Sequence, residues 1–361
     1  MRKFIIPLVS LLLIFSFLFT VSCSLTLEEK IDKLFKPYSS TKSPGASLIV
    51  IKNSIPVLIK SYGMAIVEDG IQVTPETNFR LASFTKQFTA MSLMLLEQQG
   101  KLAFGQTLKD IFPDFPEYGS KITLDHIIHH TSGLIDYESL IPDSATRQVL
   151  DKDVLKMMME QDSTYFPPGT EYKYSNSGYA VLAMVVEKIS GVSFARFLKN
   201  NIFQPLDMNT TLAYENGISE VQNRAFGYAE KDGKLIPKDQ SVTSAVLGDG
   251  GIYSNVNDLF KWDQALYSEK LISKKAMEII FRPQLLEDST STGYGFGWRI
   301  DEYKGFHRVH HTGQTCGFTT IIQRFPKNQF TIIILTNRNK PMLNKIAESI
   351  ADLFLLEIKS L

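Results

Sequence analysis

The chain has 361 residues, 44% of them hydrophobic and 21% charged, a globular composition with enough apolar mass for a core and no mark of disorder. Lys+Arg and Asp+Glu both number 38. That balance leaves no basic field to draw nucleic acid, and nucleic-acid binding is set aside. The length fits one large domain or two moderate ones.

The first residues stand apart. Arg2 and Lys3 precede an uncharged run from Phe4 to Ser22, rich in Leu, Ile and Phe, and Glu28 is the first acid. A basic head followed by an apolar stretch is the pattern of a secretory signal, expected over residues 1–22. The alternative is a permanent anchor, which Pro7, Ser10 and Ser16 disfavour by interrupting the run. The run ends at Thr20-Val-Ser-Cys-Ser24, which resembles a bacterial lipoprotein signal, with Thr20 where Leu is usual. Cys23 is therefore a lipidation candidate, and simple cleavage after it is the alternative. A lipidated Cys23 would hold the exported chain at a membrane without spanning it, in the periplasm or on the cell surface. Cys23 and Cys316 are the only cysteines. With Cys23 lipidated or removed, no internal disulfide can form, and the fold rests on its core.

An amphipathic stretch at Leu27–Phe35 leads to a β-rich pair, Ala46–Ile51 and Ile55–Ile59, joined by turn-forming Lys52-Asn53-Ser54. Apolar residues at three- and four-residue intervals predict a helix from Ser83 to Gln99, ended by Gly100. Residues 104–240 read as helices and loops punctuated by proline, with an apolar helix at Tyr179–Ser190 stopped by Gly191. Helices are expected at Asp258–Tyr267 and Lys274–Phe281. Strands follow at Gly293–Ile300, Phe318–Phe325 and Phe330–Thr336, and a last helix at about Met342–Ile358. The expected class is α+β. An antiparallel sheet is built from both chain ends with flanking helices, and a mainly helical region, about 104–240, is inserted between them.

Three clusters could carry chemistry. In Ser83-Phe-Thr-Lys86 the i, i+3 spacing sets a lysine beside a serine on one helical face. A serine hydroxyl needs such a base to become a nucleophile. A lysine desolvated near a helix N-terminus favours its neutral form and can take the proton. The backbone N–H of Ser83 can serve as half of an oxyanion hole. Ser39-Ser-Thr-Lys42 has the same spacing but no apolar helix behind it. Tyr174-Ser-Asn176 follows Pro167-Pro-Gly169 and precedes an apolar helix, which pins it at both ends. Its tyrosine can move a proton beside a cation, and its amide can hold a lysine and a substrate carbonyl. Tyr253-Ser-Asn255 shares the form. His311-Thr-Gly313 lies just ahead of the Phe318–Phe325 strand and can line a cleft. A metal is not expected. The histidines cluster at 126/129/130 and 307/310/311, but Ile follows His126 where the zinc-protease pattern has Glu. Gly191-Val-Ser-Phe-Ala195 lacks the second glycine of a nucleophile elbow.

Together, and in this order, the three clusters resemble the class C β-lactamase and D-alanyl-D-alanine carboxypeptidase superfamily. Phe79-Arg-Leu-Ala-Ser83, His130-Thr-Ser-Gly-Leu134, Pro167-Pro-Gly-Thr-x-Tyr-x-Tyr-Ser-Asn176, Gly250-Gly-Ile-Tyr-Ser254 with Asp258-Leu259, and Tyr294-Gly-x-Gly-Trp298 are similar to its signatures. The resemblance covers roughly residues 40–340. It implies that Ser83 is acylated and that Lys86 and Tyr174 share acid–base work. Asn176 would orient Lys86 and substrate, and His311 and Thr312 would face the substrate's far side. The Gln314 N–H would complete the oxyanion hole, and no cofactor is implied. One departure is that His311 stands where class C β-lactamases have Lys, so a substrate carboxylate would be held more weakly. The expected function is an exported serine hydrolase of D-amino-acid peptides, amides or small esters, acting as a monomer on a small-molecule or peptide substrate. A β-lactamase is the alternative, and a non-catalytic exported binding protein is the reading from another class.

Overall fold

The computed structural model describes residues 25–340 and 343–356; the expected signal over residues 1–22 and Cys23 lie outside them. Six strands form the main sheet, four of them rich in the β-branched residues that favour extended backbone. Its strands are β1 (Ala46–Lys52), β2 (Ile55–Tyr62), β3 (Arg299–Tyr303), β4 (Phe306–Thr315), β5 (Phe318–Phe325) and β6 (Phe330–Thr336). Asn53 and Ser54, at φ 51° and 63°, make the tight turn between β1 and β2. The order is β3-β4-β5-β6-β1-β2, antiparallel throughout. β1 pairs with β6 from Ala46↔Thr336 to Lys52↔Phe330, so the two ends of the chain share the centre of one sheet.

Side chains alternate across it. Leu48, Val50, Ile321, Ile332 and Ile334 face two helices, α1 (Leu27–Leu34) and a C-terminal helix (Asn344–Leu355), through Ile31, Ala347 and Ile350. Ile49, Ile51, Ile322, Ile333 and Leu335 face the larger core. That core is made by α2 (Lys86–Gln98), α3 (Asp151–Met159), α4 (Asn176–Ser190) and α5 (Val256–Ala265), with the C-terminal helix numbered α6. Because both faces are covered, β5 and β6 are buried at every position. α2 is buried from Lys86 to Leu96, a central helix with no solvent face until its last turn.

The structure departs from the expected elements in three places that matter for function. The strand expected at Gly293–Ile300 begins only at Arg299. Gly293 and Gly297 sit at φ 61° and 77°, in the left-handed region. The segment instead loops over α2, where a Cβ on Gly297 would lie 2.7 Å from Gln87 N. β4, unanticipated, holds His311-Thr312-Gly313 inside a strand rather than ahead of one. Its His and Arg content masks a strand whose alternate positions Val309, His311 and Gly313 face the large core. The helix expected from Ser83 begins as a 3-10 turn, Ala82–Thr85, and becomes α-helical at Lys86. α6 falls inside its expected range, whose ends at 342 and 357–358 lie outside the described residues.

α5 is tied to the sheet by a buried ion pair. Arg324 Nε on β5 donates to Asp263 Oδ1 at 2.7 Å, and Thr331 Oγ1 on β6 donates to the same oxygen at 2.8 Å. Removing the carboxylate leaves the guanidinium buried without its anion. Asp263→Ala should therefore cost about 3–5 kcal/mol of unfolding free energy, read as a lower urea midpoint, and Asp263→Asn should cost less.

Candidate active site

Ser83 is placed by two sheets. The short strand Phe79–Arg80 pairs with Ile252–Ser254, and Leu81 N donates to Ile252 O at 2.8 Å. Ala82 then turns the chain at φ 50°, a conformation unusual for a residue with a Cβ. The main sheet grips the peptide just before the serine, with Thr320 Oγ1 of β5 donating to Leu81 O at 2.7 Å. A Cβ on Gly313 of β4 would lie 2.0 Å from the same oxygen. Gly313 is thus required by the protein's own backbone. Ser83 itself is half-buried.

Lys86, one turn on, is fully buried. Its Nζ donates to Ser83 Oγ at 3.2 Å, Asn176 Oδ1 at 2.9 Å and Asp249 O at 2.9 Å. The Tyr174 and Tyr179 rings lie 4.9 and 5.5 Å away, close enough to stabilise a cation. Two of the three acceptors are carbonyls, which cannot donate. In a neutral amine the two remaining N–H bonds stay on those carbonyls, and the lone pair faces Ser83 Oγ. The arrangement can deprotonate the serine.

Tyr174 lies against this cluster, its ring 4.3 Å from that of His130 and 5.5 Å from the Arg299 guanidinium. His130, at φ 61°, accepts from Ser175 N through Nδ1 at 3.0 Å and so holds the Tyr174-Ser-Asn176 turn. The Tyr174 hydroxyl is buried and bonds to nothing among the described residues. Asn176 opens α4, and its Nδ2 donates to Glu138 Oε1 at 3.1 Å.

His311 reaches the wall of the site with both ring nitrogens engaged. Nδ1–H donates to Thr312 O at 2.7 Å, because a carbonyl can only accept, and Nε2 takes the Tyr294 hydroxyl at 3.0 Å. Burial, reinforced by the Lys86 and Arg299 charges, holds the imidazole well below its usual pKa. Burial thus favours the neutral ring. Thr312 is half-buried and Gln314 exposed, the alternate positions of β4. β3 pairs only with residues 306–310, so the outer edge of β4 from His311 to Thr315 carries no strand. Cys316 is half-buried, its thiol donating to Asp239 O at 3.4 Å. Glu138, Asp249 and Arg299 join the site without having been singled out from the sequence, and Tyr294 joins it as the first residue of the Tyr294-Gly-x-Gly-Trp298 signature. Asp249 and Arg299 each stand next to a quoted signature, before Gly250 and after Trp298.

The family model described as Beta-lactamase matches residues 31–355. The chain belongs to the β-lactamase family. It is 34% identical to penicillin-binding protein 4* of Bacillus subtilis (strain 168) over 295 residues, 78% of this chain and 65% of that protein. The chain thus spans about two thirds of that longer relative. The octameric penicillin-binding protein homologue from Pyrococcus abyssi superposes with TM-score 0.78 at 26% identity, over 91% of this chain and 76% of that one. The D-amino acid amidase from Ochrobactrum anthropi SV3, complexed with L-phenylalanine amide, shares the fold with TM-score 0.77 at 22% identity, over 92% and 99% of the two chains. These relatives make the chain a member of a serine hydrolase family with an antiparallel-sheet α+β fold.

In this β-lactamase-family chain two buried carboxyls lie behind Lys86. Burial pushes Asp249 up to about 6, against the opposing pull of Lys86 and the Tyr137 hydroxyl. Burial likewise pushes Asp151 up to about 7, against its two backbone N–H bonds. Each holds its proton more tightly folded than unfolded, where a carboxyl titrates near ~4. The stability they contribute is full below ~4 and is lost as pH rises through the folded values. His130 and His311, held neutral, act in the opposite sense, losing stability as pH falls below ~6.5. Comparing Asp151→Asn with wild type cancels the histidines. The difference in Tm should move in the variant's favour as pH rises from about 5 to 8, and a pH-independent difference would exclude a raised Asp151.

Proposed function

We propose that the chain is an exported serine hydrolase that works through an acyl-enzyme on Ser83, cleaving D-amino-acid peptides, amides or small esters. The observation that carries it is the buried Lys86 amine, 3.2 Å from Ser83 Oγ with its other donors committed to carbonyls. Ser83 Oγ bonds to the substrate carbonyl carbon while its proton passes to Lys86. The C–N or C–O bond then breaks, and the proton leaves with the departing amine or alcohol by way of Lys86 and Tyr174. Water, deprotonated by the same groups, releases the acid and restores Ser83. Developing oxyanion charge is met by the backbone N–H groups of Ser83 and Gln314. The uncovered edge of β4 runs beside them and can pair with an extended substrate. Residues 1–22 direct export, and Cys23 carries a lipid.

Where a substrate carboxylate would bind turns on the surroundings of His311. With its neutral ring favoured and both nitrogens occupied, His311 offers no charge to a carboxylate. Besides Lys86 the site holds Arg299, half-buried, beside Tyr174, and without an ion pair among the described residues. A substrate carboxylate would sit there. Arg299→Gln should raise KM at least about tenfold for peptides ending in a free carboxylate, the worth of one charge-assisted bond. It should leave KM for the corresponding amides within about twofold, and equal effects on both would remove Arg299 from recognition.

The nucleophile is tested by incubating residues 24–361 with a penicillin and following intact mass. An adduct on wild type and none on Ser83→Ala is the expected result. Penicillin turnover without a lasting adduct would favour the β-lactamase reading. Unchanged hydrolysis of every tested ester, amide and lactam in Ser83→Ala would end the enzymatic one.

A further inference from the structure

The two carbonyls that hold Lys86 are themselves held from behind by carboxylates that do not touch it. Asp249 lies in a single helical turn, Leu247–Gly250. In so short a turn the leading N–H groups have no acceptor of their own. Asp151, the first residue of α3 and only 8% exposed, takes both of them. Its Oδ2 accepts from Leu247 N at 2.8 Å and its Oδ1 from Gly248 N at 2.9 Å. The turn is pinched from two further sides. Thr89 Oγ1 of α2 donates to Gly248 O at 2.6 Å, and a Cβ on Gly248 would lie 2.3 Å from Tyr179 O of α4. With these contacts in place the Asp249 carbonyl has one direction, toward Lys86 Nζ.

The second carbonyl is fixed by chemistry rather than packing. Asn176 can present either its oxygen or its NH₂ to Lys86. Glu138, exposed beside it, is a carboxylate that can only accept, so Nδ2 turns to Glu138 and Oδ1 to Lys86. Without Glu138 a flipped amide would aim donors at the amine and free one of its N–H bonds.

We propose that Asp151 and Glu138 are positioning residues that, through the Asp249 and Asn176 carbonyls, point the Lys86 lone pair at Ser83. The proposal rests on the reading of Ser83 as nucleophile and Lys86 as its base. It distinguishes direction from strength, since neither carboxylate alters what Lys86 bonds to when both carbonyls are in place. A lone pair turned away from the hydroxyl lowers the acylation rate and leaves substrate binding alone.

The test is the acylation burst with p-nitrophenyl acetate, fitted for separate binding and acylation constants, with fluorophosphonate labelling of Ser83 as a second readout. Above about pH 8, where Asp151 is ionised, Asp151→Asn, which can accept only one of the two N–H bonds, should lower the acylation constant by about 10–100-fold with the binding constant unchanged. Glu138→Ala should lower it about tenfold, and Glu138→Gln, which keeps an acceptor oxygen, should recover to within about threefold of wild type. Lys152→Ala, an exposed neighbour of Asp151, should acylate like wild type. Asp151→Asn and Glu138→Ala both acylating at the wild-type rate would overturn the proposal, as would a loss carried wholly by the binding constant. Should Asp151→Asn fail to fold, the Glu138 pair decides, because an exposed side chain costs little stability. If wild type and Ser83→Ala label equally, the nucleophile assignment itself fails, an outcome separate from any effect of Asp151.

Discussion

A lysine amine buried in the centre of a protein is the constraint around which this structure is arranged. Desolvating an ammonium costs several kcal/mol unless its donors are met. Lys86 meets three acceptors, drawn from 3, 90 and 163 residues away in sequence. Each must arrive within hydrogen-bond distance, so α2, α4 and the Leu247–Gly250 turn cannot shift independently. Glycines stand where these elements touch. Gly248 lies against α4, Gly297 against the first turn of α2 and Gly313 against Leu81, each with a Cβ position under 3.0 Å from backbone. Close packing of backbone on backbone is what brings a short serine and a long lysine to one point.

The sheet supplies the rigidity this arrangement needs. β4 and β5 hold Leu81, and through it Ser83, while β6 pairs with β1 from the other end of the chain. Closing that pairing orders nearly the entire sequence. Formation of the site is therefore coupled to formation of the fold, and a loosened β1–β6 pair would be felt at the nucleophile. Arg324 and Asp263 extend the same logic to α5, whose Trp262 donates to Gln87, the residue after Lys86.

What could be read from sequence divides along physical lines. β5 and β6 match their expected bounds because both faces are buried, and the sequence there is mostly β-branched and aromatic. Ser83 and Lys86 are neighbours by helix geometry alone, a local fact. β4 escaped notice because its core-facing positions carry His311 and Gly313 where a strand usually shows apolar residues, so site chemistry overrode the pattern. Asp151, Glu138 and Arg299 were illegible for another reason. Each is an ordinary charged residue whose significance comes only from a partner brought by packing: Leu247 for Asp151, Asn176 for Glu138, Tyr174 for Arg299. His311 was legible as a site residue but its state was not. Its lowered basicity comes from burial beside Lys86 and Arg299, and its tautomer from a carbonyl and a tyrosine hydroxyl that only the folded strand and loop bring to it.

The placement of α1 has a directional consequence. α1 packs on one face of the main sheet, and Leu81, Phe84 and the start of α2 pack on the other. Whatever precedes Leu25 is joined to the body within two residues of α1. A tether ahead of α1 would thus attach on the face of the sheet opposite the one that carries the nucleophile.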